Sequence, residues 1–206
     1  MKKTILFVVL LLSITLTLQA QVRSYKGYEQ YKNEFAVGYG LYTAPQYLGS
    51  LADNFLAPLF TLGLSSRRSA TSGYGTFVAS WTHYNDRRFS YGVDFVTDQY
   101  SSVIYNANTN QKYSNNTYNF NSIMPHADFN FINNEHFRLY TNLAMGVVFA
   151  STKQRTDSSF SKDNKIGFAG NYTPLGFAYR TGHFSFLFET AFGFKPALAT
   201  GIGYRF

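Results

Sequence analysis

Asp94, His126, Asp128, Arg138, Glu189 and Arg205 share one side of stretches that otherwise alternate apolar and polar residues. A histidine beside carboxylates is the material of general acid–base chemistry and, with a hydroxyl, of nucleophilic catalysis. His126 and Asp128 stand two apart, which on a strand puts both on one face where they can hydrogen-bond. That relation is ordinary in strands, and no Ser is tied to the pair by a motif. Charges of both signs on a common face also pair with one another, and a structural ion-pair network, with Arg180 near its rim, is the competing reading. A third is a narrow polar pathway or binding cavity lined by the same residues. Composition removes other chemistry. The 206 residues contain no Cys, so disulfides, thiol nucleophiles, cysteine metal sites and cysteine lipidation do not arise. No P-loop, dinucleotide-binding fingerprint or metal-type His/carboxylate spacing occurs, so no cofactor is implied.

Eight alternating stretches position these residues: Asn33 to Thr43, Gly73 to Tyr84, Phe89 to Asp98, Tyr118 to Ile132, Phe137 to Thr152, Ile166 to Arg180, Phe184 to Phe194 and Leu198 to Phe206. Phe184, Phe186, Phe188, Thr190, Phe192 and Phe194 form one row of the seventh, with Ser185, Leu187, Glu189, Ala191 and Gly193 opposite. In the third, Phe89, Tyr91, Val93 and Phe95 oppose Ser90, Gly92, Asp94 and Asp98. In the first, Phe35, Val37, Tyr39 and Leu41 oppose the small residues Ala36, Gly38 and Gly40. Such rows predict an all-β, eight-stranded antiparallel up-and-down transmembrane β-barrel, the one kind of sheet whose backbone groups are all satisfied in lipid. Each stretch reaches the roughly 9–11 residues that a tilted membrane strand needs. Pro125 and Pro174 cannot donate to a ladder and predict a bulge or break near each.

Connections alternate in length, with Asn85–Arg88, Asn133–His136 and Thr181–His183 short and Thr43–Ser72, Tyr105–Thr117 and Lys153–Lys165 long. Short periplasmic turns and long outer loops are the barrel pattern. Only Lys195 to Ala197 is short where an outer loop is expected. Between Ala44 and Leu62, apolar residues from Tyr47 to Phe60 recur at three- and four-residue spacings after Thr43 and Pro45, which predicts a short helix. It would pack on the rim, lie at the lipid interface or cover the mouth.

Aromatic residues reach 19% of the chain against 14% charged, a balance suited to a lipid-facing wall with interfacial girdles. Lys2 and Lys3, the apolar run Ile5 to Leu12, and Leu18-Gln19-Ala20 before Gln21 read as a secretory signal peptide over 1–20, followed by a periplasmic lead over 21–32 and the barrel domain over 33–206. A retained anchor is the rival reading, with a fully apolar core shorter than the roughly 20 residues of a spanning helix. Losing two Lys with the leader lowers the formal charge from +7 to +5, too mild and scattered for nucleic-acid binding yet favourable toward anionic lipopolysaccharide.

The rows, the loop asymmetry and the ending Gly201-Ile202-Gly203-Tyr204-Arg205-Phe206 together resemble the small eight-stranded outer-membrane barrels of the OmpA, OmpX and PorT-like type, over about Asn33 to Phe206. The resemblance implies a Gram-negative outer-membrane location among lipid and lipopolysaccharide. It also implies a signal to the barrel-assembly machinery carried by Thr200, Ile202, Tyr204 and Phe206. Some barrels of this type modify lipid A with Ser, His and an acid; here that reading is the least favoured. A non-catalytic role in envelope integrity or in surface contact with an unidentified extracellular partner is expected, and small-solute or hydrophobic-ligand transport is the alternative.

If the leader is cleaved after Ala20, intact-mass measurement of the envelope-extracted protein will give a chain starting at Gln21; a mass retaining residues 1–20 would support the anchor instead.

Overall fold

The computed structural model describes residues 31–43, 45, 67–106, 112–156 and 159–206. The expected signal peptide, residues 21–30 of the expected lead, and the expected loop helix apart from Pro45 lie outside the described residues. Eight strands follow in order: β1 (Asn33–Leu41), β2 (Arg67–Tyr84), β3 (Phe89–Asn106), β4 (Lys112–Asn133), β5 (Phe137–Thr156), β6 (Ser159–Thr181), β7 (Phe184–Gly193) and β8 (Leu198–Arg205). Each pairs antiparallel with its sequence neighbour, and β1 pairs with β8 to close the ring. Asn33 N donates to Phe206 O and Phe206 N to Asn33 O, both at 2.9 Å, sealing the seam at its lower end.

Alternation decides which side chains face out. Phe35, Phe77, Trp81, Phe95, Leu143, Phe177, Phe186, Phe188 and Ile202 are all exposed. Asp94, Asp128, Arg138, Arg180 and Arg205 are buried inside the ring. Water would favour the reverse; hydrocarbon outside and paired charge within favour this one. The short turns are held by side chains that accept from the backbone. Asp86 Oδ1 takes Arg88 N and Phe89 N at 2.6 and 2.7 Å, and Asn134 Oδ1 takes His136 N and Phe137 N at 3.0 and 2.7 Å, both Asx-type turns.

Some sequence expectations need correction. The long polar connections Tyr105–Thr117 and Lys153–Lys165 are largely strand, because β3 pairs with β4 up to Tyr105↔Lys112 and β5 with β6 up to Thr156↔Ser159. Arg67 to Ser72, expected in the first loop, is likewise paired with β3. Two-sided solvent removes the need for an apolar row while leaving the ladder intact. Pro174 does sit in a bulge, with register shifts on both its flanks, whereas Pro125 interrupts pairing toward β5 without shifting the register. Phe194 leaves the outward row: Gly193, at φ 137°, redirects the chain, and Phe194 packs against Phe120 and the interior cluster of Val78, Val96, Met124, Ala144, Val148 and Ala169.

β1 ends its pairing with β2 at Gly40↔Thr76, and β7 ends with β6 at Gly193↔Asn171. Five strands, β2 to β6, therefore rise past the ring as an open wall.

Phe188 lies midway along β7 on the exposed row. Phe188→Arg is expected to lower unfolding free energy by about 2–4 kcal/mol in lipid vesicles, the cost of Arg near a bilayer midplane. Reversible urea unfolding followed by Trp81 fluorescence checks this, and a change near zero would show that the row faces water.

Candidate functional site: the charged lumen

The lumen network is built row by row across the sheet, with glycine between the partners. Thr82, Gly92 and His126 lie side by side on β2, β3 and β4. Because Gly92 has no side chain, His126 Nε2 reaches Thr82 Oγ1 at 3.3 Å; a Cβ on Gly92 would stand 2.7 Å from that nitrogen. Tyr140, Gly176 and Glu189 repeat the device on β5, β6 and β7. The Tyr140 ring lies over Gly176 and its hydroxyl donates to Glu189 Oε1.

His126 Nδ1 lies 3.2 Å from Asp94 Oδ1, and Ser80 donates to the same oxygen. Asp128, the expected partner of His126, is 3.8 Å from Nε2, beyond hydrogen-bond reach. Its carboxylate instead accepts from Arg138, Ser90 and Asn142. Arg138 also donates to Asn130 Oδ1 at 2.7 Å and lies 3.8 Å over the Tyr140 ring. Glu189 joins this group and Arg205 does not. Arg205 sits at the short-turn end, where Nη2 donates to Gly182 O. Arg180 is there too, its Nη1 donating to Asn133 Oδ1 at 2.6 Å.

Two charged residues escaped the sequence reading. Lys195 belongs to the short β7–β8 connection, where strand parity assigns no direction. It folds back into the lumen, with Nζ 2.8 Å from Glu189 Oε2 and 3.4 Å from Asp94 Oδ2. Glu34 was legible, since it shares parity with Ala36 and Gly38. It accepts from Tyr84 and Ser185 and lies 3.7 Å from Arg180 Nη2. At the opposite end Tyr42, at φ 62°, turns the chain inward so that Thr43 donates to Asp98 at 2.6 Å across the mouth.

Five acids, Glu34, Asp94, Asp98, Asp128 and Glu189, thus meet four cations, Arg138, Arg180, Lys195 and Arg205, with His126 among them. The cavity lined by Thr82, His126, Arg138, Tyr140, Glu189 and Lys195 has about 40 Å³ of room for solvent. At roughly 10–15 Å³ per water, that holds a few waters and no organic substrate. Asp94, His126 and Thr82 form an acid–imidazole–hydroxyl series, but it is enclosed. Among the described residues no metal-type cluster of His and carboxylates occurs. Thr200, Ile202, Tyr204 and Phe206 all face outward along β8.

Asp128→Asn leaves Arg138 buried without its closest carboxylate and is expected to lower unfolding free energy by about 3–5 kcal/mol. Asp128→Leu combined with Arg138→Met should recover most of that loss. Urea titration of the three variants in one vesicle system decides it.

No family model matches this chain, and no curated protein matches it. Among solved structures, the attachment invasion locus protein Ail of Yersinia pestis aligns at 13% identity with a TM-score of 0.46, covering 85% of this chain and 99% of Ail. Ail in complex with the heparin analogue sucrose octasulfate aligns at 12% identity and 0.47 over the same shares. At these values the barrel assignment rests on the chain's own strand register.

Proposed function

We propose that this protein is a non-catalytic integral barrel of a bacterial outer membrane, exported by its leader, that acts at the cell surface through the β2–β6 wall rather than by passing solutes. The observation that carries this reading is the pairing of an apolar exterior with a lumen whose middle is filled by paired charges around about 40 Å³ of free space. A conducting or ligand-transporting lumen needs continuous room that Lys195, Tyr140 and Arg138 occupy. A lipid-modifying site needs its nucleophile at an acyl chain, whereas Thr82 and His126 are enclosed.

The wall supplies the working surface. On its outer face the apolar row Val147, Phe149 continues into Lys153 and Arg155, and Phe168, Ile166 continues into Lys162. Lys153 stands directly opposite Lys162. Like charges paired across strands are destabilising alone, so an anionic headgroup layer at that height suits them and supports contact with lipopolysaccharide. The outward aromatic and apolar row of β8 supports recognition by the barrel-assembly machinery.

Proteoliposomes challenged with graded sugars should show no swelling above protein-free vesicles. A deletion strain should change in detergent sensitivity or adhesion with lipid A acylation unaltered; swelling would favour transport, and altered lipid A would overturn the non-catalytic reading.

A further inference from the structure

At the short-turn end of the lumen the charge balance that governs the middle breaks down. Arg180 and Arg205 are almost completely buried, at 1% and 2% exposure. They face the same interior region, because Arg180 pairs with Ser185, Ser185 pairs with Gly203, and Arg205 is the next inward residue of β8. Among the described residues one carboxylate is near. Glu34 sits opposite Arg205 in the β1–β8 register, yet both its oxygens are taken, one by Tyr84 and the other by Ser185. Its approach to Arg180 is at 3.7 Å, an ion pair without a hydrogen bond. Asp128, the next acid, is engaged by Arg138.

Three guanidinium donors are left over: Nε and Nη2 of Arg180 and Nε of Arg205 find no hydrogen-bond partner among the described residues. Among the described residues no acid lies within ion-pair distance of Arg205. Aromatic faces brace both cations without satisfying their N–H groups: Tyr84 lies 4.9 Å from the Arg180 guanidinium carbon, and Tyr31 lies 4.9 Å from that of Arg205. Tyr31 in turn packs edge-on against His183 at 4.8 Å, in the turn whose Gly182 carbonyl anchors Arg205. Planar forks with unused donors, braced by rings and facing one region, match the geometry by which arginine holds phosphate and carboxylate groups.

We propose that Arg180 and Arg205, with Tyr31 and Tyr84 as walls, form a binding site for a small oxyanion of the phosphate class at the short-turn mouth of the barrel. The anion takes the three free donors and balances the two cations that Glu34 alone does not. Its source is either free phosphate or the phosphate of a lipid headgroup reaching past the Gly182–His183 turn, and the chemistry of the site is the same for both.

The test uses the full chain, labelled with 15N-arginine and refolded in uncharged detergent, titrated with inorganic phosphate while chloride holds ionic strength constant. The Nε–Hε signals of Arg180 and Arg205, assigned with Arg180→Lys and Arg205→Lys, are expected to shift saturably. Arg205→Gln should weaken binding about tenfold or more, as loss of a charge-assisted hydrogen bond does. Shifts no larger than chloride produces, or equal affinity in Arg205→Gln, would overturn the site. If that variant fails to fold, the phosphate-against-chloride comparison on the unaltered chain decides alone. Nanodiscs identify the source: signals already shifted in anionic-phospholipid discs, but not in zwitterionic ones, indicate a headgroup, and signals that move only on adding phosphate indicate a free anion.

Discussion

Closure of the ring is the constraint on which everything else depends. β1 and β8 lie at opposite ends of the barrel sequence, and their register from Glu34↔Arg205 to Leu41↔Leu198 removes the two edges that an open eight-stranded sheet would carry. In hydrocarbon an unpaired backbone group costs several kcal/mol, so an unclosed ring would not persist there. Once closed, the pleat allows only two environments. One row of each strand turns its apolar side chains outward, and the other meets its counterparts across a lumen narrow enough for side chains to fill.

That narrowness turns sequence parity into electrostatics. Charges sent to the middle of the lumen find partners within a few ångströms through shared carboxylates: Asp94 serves His126 and Lys195, and Asp128 serves Arg138, Ser90 and Asn142. Glycines decide who can meet. Gly92 and Gly176 each remove one side chain from a row and let the flanking residues touch, so the network is specified as much by what is missing as by what is present.

The ring is legible in the sequence because the pleat gives each strand a period of two, written here as an apolar row against a polar or small one. Asp94, His126, Asp128, Arg138, Glu189 and Arg205 fell on the inward side by that rule alone. What it could not convey falls where the rule lapses. The upper halves of β4, β5 and β6 carry polar residues on both faces, so pairing continued without a visible row. Lys195 sits in a turn, and turns have no parity. Phe194 follows a glycine at positive φ that ends its row. At the expected bulge of Pro174 the parity itself changes: Ala169, Asn171 and Thr173 face inward before it and Gly176, Ala178 and Arg180 after it, so one extra residue exchanges odd for even and sends Arg180 to the interior. The partnership of His126 with Asp94 and Thr82, in place of Asp128, depends on neighbouring strands and is invisible to spacing along one.

The wall that stands above the ring is connected differently from the ring itself. Its strands extend in matched pairs as far as Tyr105↔Lys112 and Thr156↔Ser159, and among the described residues the β1–β8 seam makes no pairing with them. Height and chemistry at the summit can therefore change while the seal beneath stays fixed, leaving a scaffold whose reach into the surroundings is free to vary without opening the ring.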